Sequence, residues 1–173
     1  MPETIEMRTM MPQRRQLVTE SWKSLAPNGA LVGAIFYRRL FEIDPSLRPM
    51  FSGVTLEEQI HKLVTMLDLV VHWLDVPDRV VPVLKKLGER HSTYGVRDDH
   101  FGKVGAALIG TLEEGLGDKF TPELRSAWTE AFVLISSLMR RGAAKISGAF
   151  PAAKPDDTPG PVVPRKAAGF DAA

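Results

Sequence analysis

Residues 55–74 read TLEEQIHKLVTMLDLVVHWL. Leu56, Ile60, Leu63, Leu67, Val70 and Leu74 recur at i, i+4, i+7, i+11, i+14 and i+18, which is one face of an amphipathic helix and no other regular element. Thr55 and Glu58 make the T-x-x-E signature of a capping box, so the helix begins at Leu56. DVPD (75–78) ends it. The same period runs outward in both directions. Downstream, Val80, Leu84, Leu87 and His91 form a second stripe, and Phe101, Val104, Leu108 and Leu112 a third, stopped by EGLGDKF (114–120). Thr121 and Pro122 open a last helix that turns Leu124, Trp128, Phe132, Ile135 and Leu138 inward. Upstream, Asp44 followed by Pro45 caps a short helix. A helix from about Ala30 to Phe41 precedes it, and Val18, Trp22 and Leu25 mark one from Pro12 to Leu25, broken by APNG (26–29). No segment alternates with the period of a strand. The fold class is all-α, with about six to eight helices.

The periodic region spans residues 12–148, one domain. Residues 1–11 carry no stripe and read as a flexible N-terminal extension. Residues 149–173 hold five prolines, many alanines and no apolar face, the composition of a disordered tail. The chain has 173 residues, 44% hydrophobic and 25% charged, an ordinary globular balance. Its 22 basic and 21 acidic residues leave a net charge of +1, which gives no electrostatic footprint for nucleic acid or an anionic membrane. No apolar run approaches the roughly 20 residues needed to cross a bilayer. The first residues have no apolar segment behind their charges, so no secretory signal is expected and a cytoplasmic location is the default. Cysteine is absent. That excludes disulfides, thiolate metal sites, a catalytic thiol and any cofactor attached through a thioether.

His91 stands where an apolar stripe calls for a core residue. A lone histidine on such a face is more often a buried side chain hydrogen-bonded to backbone than a ligand. Three features favour the ligand. Leu84 and Leu87 lie on the same face, one and two turns earlier. STYGV (92–96) leaves the helix, so His91 sits in its last turn. The carbonyl of Leu87, one turn back, can accept from one ring nitrogen and leave the other to a metal. Gln59, at a helix start, reads by itself as solvated. Tyr37, among Ile35, Phe36, Leu40 and Phe41, reads by itself as a core tyrosine with its hydroxyl at the rim. Gly33 would let another helix cross closely. Lys62 reads as solvated, or as a partner for an acidic group of a cofactor. His61, two residues from Gln59, faces elsewhere on its helix, and His72 and His100 read as boundary positions. The sequence carries no Ser/His/Asp set and no phosphate loop.

The blocks IFYRRLFEIDPSLRPMF (35–51), EEQIHKL (57–63) and LGERHSTYGV (87–96) resemble the single-domain bacterial globins and the globin domain of flavohemoglobins. The resemblance covers about residues 13–146. Gln59 and His91 are 32 residues apart (91 − 59), similar to the separation of distal glutamine and proximal histidine in that family. It implies a globin fold around a non-covalent heme b, with His91 as iron ligand. Tyr37 and Gln59 become donors to a gas on the other face, Phe51 stacks on the ring, and Leu63 presses on the ligand pocket. Lys62, Leu87, Tyr94, Val96, Phe101 and Val104 complete the cofactor surroundings. The implied ligands are O2, NO and CO. The implied state is a monomer or homodimer. A carrier, a scavenger and an NO dioxygenase fed by a separate reductase all fit. A heme-based gas or redox sensor and a heme-free globin-like interaction module are the alternatives. Two departures stand out. Flavohemoglobins continue into a flavin and nicotinamide reductase, whereas this sequence continues into the proline-rich tail. The tyrosine and glutamate that brace the proximal histidine in that family correspond here to Phe101 and Lys145.

Overall fold

The computed structural model describes residues 8–147; the tail expected over 149–173 lies outside them. The described residues form six α-helices and no strand: α1 (Pro12–Leu25), α2 (Gly29–Ile43), α3 (Leu56–His72), α4 (Pro77–Thr93), α5 (Asp98–Leu116) and α6 (Pro122–Ser147). Short 3-10 turns occupy Ala26–Asn28, Pro45–Phe51 and Gly117–Lys119. The helix expected after Asp44 is one of these turns. Asp44 does cap it, accepting from the Ser46 amide, but Pro49 within it has no N–H to continue a regular ladder.

The main packing is α4 on α6 and α2 on both α5 and α3, with α1 closing against α6 and α3. Glycine sets how closely α2 meets α3. A Cβ on Gly33 would overlap Ile60, and one on Gly29 would overlap Val64. At the other end of the core Trp22 and Trp128 meet edge to face, ring centroids 6.4 Å apart. Both indoles bury their N–H with a partner: Trp22 donates to Asp68 and Trp128 to the Ser21 hydroxyl.

The capping box at α3 forms as expected. Thr55 Oγ1 accepts from the Glu58 amide, and Glu58 accepts from the Thr55 amide. These bonds secure the turn that carries Gln59. Thr55→Ala is therefore expected to cost about 1 kcal/mol in a urea denaturation and to speed amide exchange across residues 57–60. An unchanged midpoint would show that tertiary packing alone holds this turn.

Three expectations are corrected. Leu56 heads the α3 stripe but is 52% exposed, at the first residue of the helix, instead of in the core. Of the extension over 1–11, the described end is anchored: Met10 is 1% exposed in the core, and its carbonyl accepts from Arg15. His100 is buried, not at a boundary. Its Nδ1 accepts from the Arg97 amide at 3.1 Å, capping the start of α5. The same corner is tied to the Pro45–Phe51 turn by Lys103, whose Nζ lies 2.6 Å from Asp44 and 3.2 Å from Asp99. That contact, with Ser46 assisting, holds the Asp44 carboxyl down at about 2.

Candidate functional site

The last turn of α4 presents His91. Its Nδ1 lies 2.9 Å from the carbonyl oxygen of Leu87, the partner expected from the i−4 spacing. A carbonyl can only accept, so Nδ1 carries the proton and Nε2 keeps its lone pair. Burial lowers the His91 pKa from its ordinary 6.5, and the Leu87 hydrogen bond opposes this more weakly. The imidazole is thus neutral at physiological pH, the form that ligates a metal. The unfolded chain takes up a proton near pH 6.5 where the folded chain resists, so stability falls as pH drops through 6.5. Burial moves His100 in the same direction. The melting temperature is expected to decline below that pH, and His91→Ala to flatten the decline; an equally steep decline in the variant would contradict the assignment.

The second centre is on α2 and α3. Tyr37, 3% exposed, is hydrogen-bonded by the Gln59 side chain. Burial pushes its phenol up to about 12, while the Gln59 bond pulls weakly the other way. The hydroxyl therefore stays protonated. With Gln59 donating to its oxygen, the phenol proton is available to another acceptor. Three rings fix the tyrosine. Phe36 packs on it at 5.2 Å, Phe51 at 5.4 Å and Phe41 at 5.9 Å between centroids, and Phe41 and Phe51 also touch. Arg48 covers the outer face of Phe41 at 4.7 Å. Phe41 joins Tyr37 and Phe51 in this cluster; it has no role in the sequence expectations, although its position one turn after Tyr37 is a signal for it.

Of the other residues expected around a cofactor, Phe51 from the turn, Leu63 from α3, Leu87 from α4, Val96 from the corner and Val104 from α5 are half-buried and packed against the core. Phe101 is buried under the Arg140 guanidinium, 4.8 Å from the ring centroid. Tyr94 is 54% exposed, its ring centroid 6.4 Å from that of His91, so it lies at an outer edge. Lys62 and Lys145 are exposed, as are His61 and His72. A broad open groove of about 900 Å³ lies elsewhere, lined by residues such as Phe120 and Thr129 and shared with none of these side chains; Arg14 and Arg125 on its rim are already paired with Glu130 and Glu113.

The donor set states what can sit here. Among the described residues no group of three His, Cys, Asp or Glu could hold a bare metal ion. One neutral imidazole between apolar walls suits a metal that brings its own equatorial ligands in a flat, apolar ring. The residues present fit a heme.

A family model described as Globin matches residues 34–139. The chain is a globin. Neuroglobin of Danio rerio is 32% identical over 152 residues, an alignment covering 80% of this chain and 96% of that protein. An engineered carbene transferase derived from RmaNOD, assigned as a nitric oxide dioxygenase of Rhodothermus marinus, superimposes with a TM-score of 0.73 at 29% identity, covering 81% of this globin and 97% of that chain. The fold also matches that of a flavohemoglobin from Malassezia yamatoensis (TM-score 0.66, 16% identity), the match covering 80% of this chain and 38% of that one. The expected family resemblance therefore holds, and heme is the cofactor that family membership supports.

Proposed function

We propose that this globin holds heme b without a covalent link, through His91, and binds O2 reversibly beneath Tyr37 and Gln59, with NO and CO as competitors. When bound, the heme supplies the iron at which such diatomic gases are taken up. The observation that carries the reading is the buried, ring-locked Tyr37 in contact with Gln59, with its phenol kept protonated. A buried hydroxyl of this kind recognises a small polarised ligand and offers little to an apolar one. Leu87 orients His91, and Phe51, Leu63, Val96 and Val104 exclude water. The proposed location is the cytoplasm.

The test is purification after expression with heme supply. A red protein with an intense Soret band supports the reading. A colourless protein that fails to take up added heme rejects it and leaves the heme-free interaction module.

NO dioxygenation is the second reading, favoured by the likeness to the RmaNOD-derived structure. Its turnover consumes electrons, so a separate reductase would supply them. Peroxidase-like turnover is expected to be weak. The partner of His91 Nδ1 is a neutral carbonyl, Phe101 offers no hydrogen bond, and Lys145 is exposed and carries the wrong sign to strengthen the imidazole as a base. Peroxide should destroy the cofactor instead of sustaining guaiacol oxidation. Vigorous, lasting turnover would contradict this.

A further inference from the structure

α4 and α6 cross backbone against backbone. A Cβ on Gly88 would overlap the carbonyl oxygen of Met139, and a Cβ on Gly142 would overlap the carbonyl oxygen of Lys85. The contact is reciprocal. Each helix contributes a glycine and, three residues earlier on the same face, the carbonyl that the other glycine meets. Gly29 and Gly33 are tight too, but they meet the side chains of Val64 and Ile60. Side chains can turn aside. A helical carbonyl cannot, because its direction is fixed by the helix it belongs to. α6 is itself immobilised at this crossing by Leu138 and Met139, both buried.

The position of this crossing matters for the site. The carbonyl that holds His91 Nδ1 at 2.9 Å is that of Leu87, and it belongs to the same planar peptide unit as the Gly88 nitrogen. A displacement of Gly88 from α6 therefore moves the acceptor of the His91 hydrogen bond. His91 follows Gly88 on the same helix, inside the last turn, where helices ordinarily fray.

We propose that Gly88, seated against Met139 in the crossing with Gly142, is a positioning residue for the iron ligand: it fixes the Leu87–Gly88 peptide and, through it, the orientation of the His91 ring. The proposal rests on the reading that His91 holds heme iron.

The test is resonance Raman spectroscopy of the iron–histidine stretch in the ferrous, heme-loaded protein, read beside the rate of heme transfer to an acceptor apoglobin. Gly88→Ala is expected to shift or broaden the band and to speed heme loss by roughly 10- to 100-fold, the range for removing an orienting partner of a metal ligand. Gly29→Ala is the control. It overpacks a helix crossing against Val64 alone, so it should lower the melting temperature and leave the band in place. An unmoved band in Gly88→Ala, or the same shift in Gly29→Ala, overturns the proposal. Should Gly88→Ala fail to fold, hydrogen exchange on the unsubstituted protein decides. The amides of residues 88–91 should exchange as slowly as those in the middle of α4, and exchange at the rate of a frayed helix end overturns the proposal. If no variant and not the parent shows an iron–histidine band, the cofactor reading itself has failed, and the exchange result still reports whether the crossing pins the last turn.

Discussion

His91→Ala is expected to leave a protein that folds but does not retain heme, with binding recovered in part by free imidazole. No other side chain stands ready to replace it. The chain has four histidines and no cysteine. His61 and His72 are exposed, and His100 is buried at the start of α5 with its Nδ1 engaged by the Arg97 amide. Loss of an orienting partner alone weakens metal binding by roughly 10- to 100-fold, so loss of the ligand itself should exceed about 100-fold. The cost to the polypeptide is much smaller. Only the His91–Leu87 hydrogen bond and part of a half-buried ring are given up, on the order of 0.5–1.5 kcal/mol for the bond. That contrast is what the experiment reads: a large fall in heme affinity by equilibrium titration against a small change in the urea midpoint of the heme-free form. Unchanged heme retention and an unchanged Soret spectrum would remove His91 from the site. A heme-free interaction module predicts the small stability change and nothing else.

Much of this molecule could be read from periodicity because its helices bury one stripe each. The expected bounds of α1 are those observed, and the Thr55 capping box is present bond for bond. The His91–Leu87 contact was legible for the same reason, since a side chain four residues on lies over the carbonyl one turn back. Of the contacts between helices, the close crossing at Gly33 was legible, but not which side chains it brings together. Nothing in the spacing of Tyr37 and Gln59 says that their side chains meet; the crossing of α2 and α3 at Gly29 and Gly33 brings them together. Nothing in the sequence pairs Gly88 with Gly142, and only the register of α4 on α6 makes them a backbone contact. His100 misled because a polar residue beside apolar ones suggests a boundary, whereas a tertiary-independent bond to the Arg97 amide satisfies it in the interior. Leu56 misled in the opposite sense. It keeps the period of the stripe but stands exposed at the first residue of α3, where periodicity alone does not report whether a neighbour covers it.

Tyr37→Phe is expected to raise the O2 dissociation rate by roughly ten- to a hundredfold while changing the CO rate far less. Bound O2 carries partial negative charge, so a donor to it makes a charge-assisted hydrogen bond worth on the order of 1.5–3 kcal/mol. At about 1.4 kcal/mol per factor of ten, that range gives the expected rates. CO is less polarised and gains less from the same donor, so the contrast between the two gases separates a lost hydrogen bond from a widened pocket. The substitution leaves the ring in place, and Phe36, Phe41 and Phe51 should hold it as they hold the tyrosine. Gln59 decides where in the range the effect falls. In the unsubstituted protein its amide is engaged with the Tyr37 oxygen; without the hydroxyl it is released and can donate in its place. Gln59→Leu alone should therefore have the smaller effect, and the double variant should exceed the sum of the single ones in free energy, a coupling that a double-mutant cycle measures directly. Stopped-flow replacement of O2 and CO on the three variants supplies the rates. If Tyr37→Phe changes both gases by the same small factor, Tyr37 is a core residue only, and some other group faces the ligand.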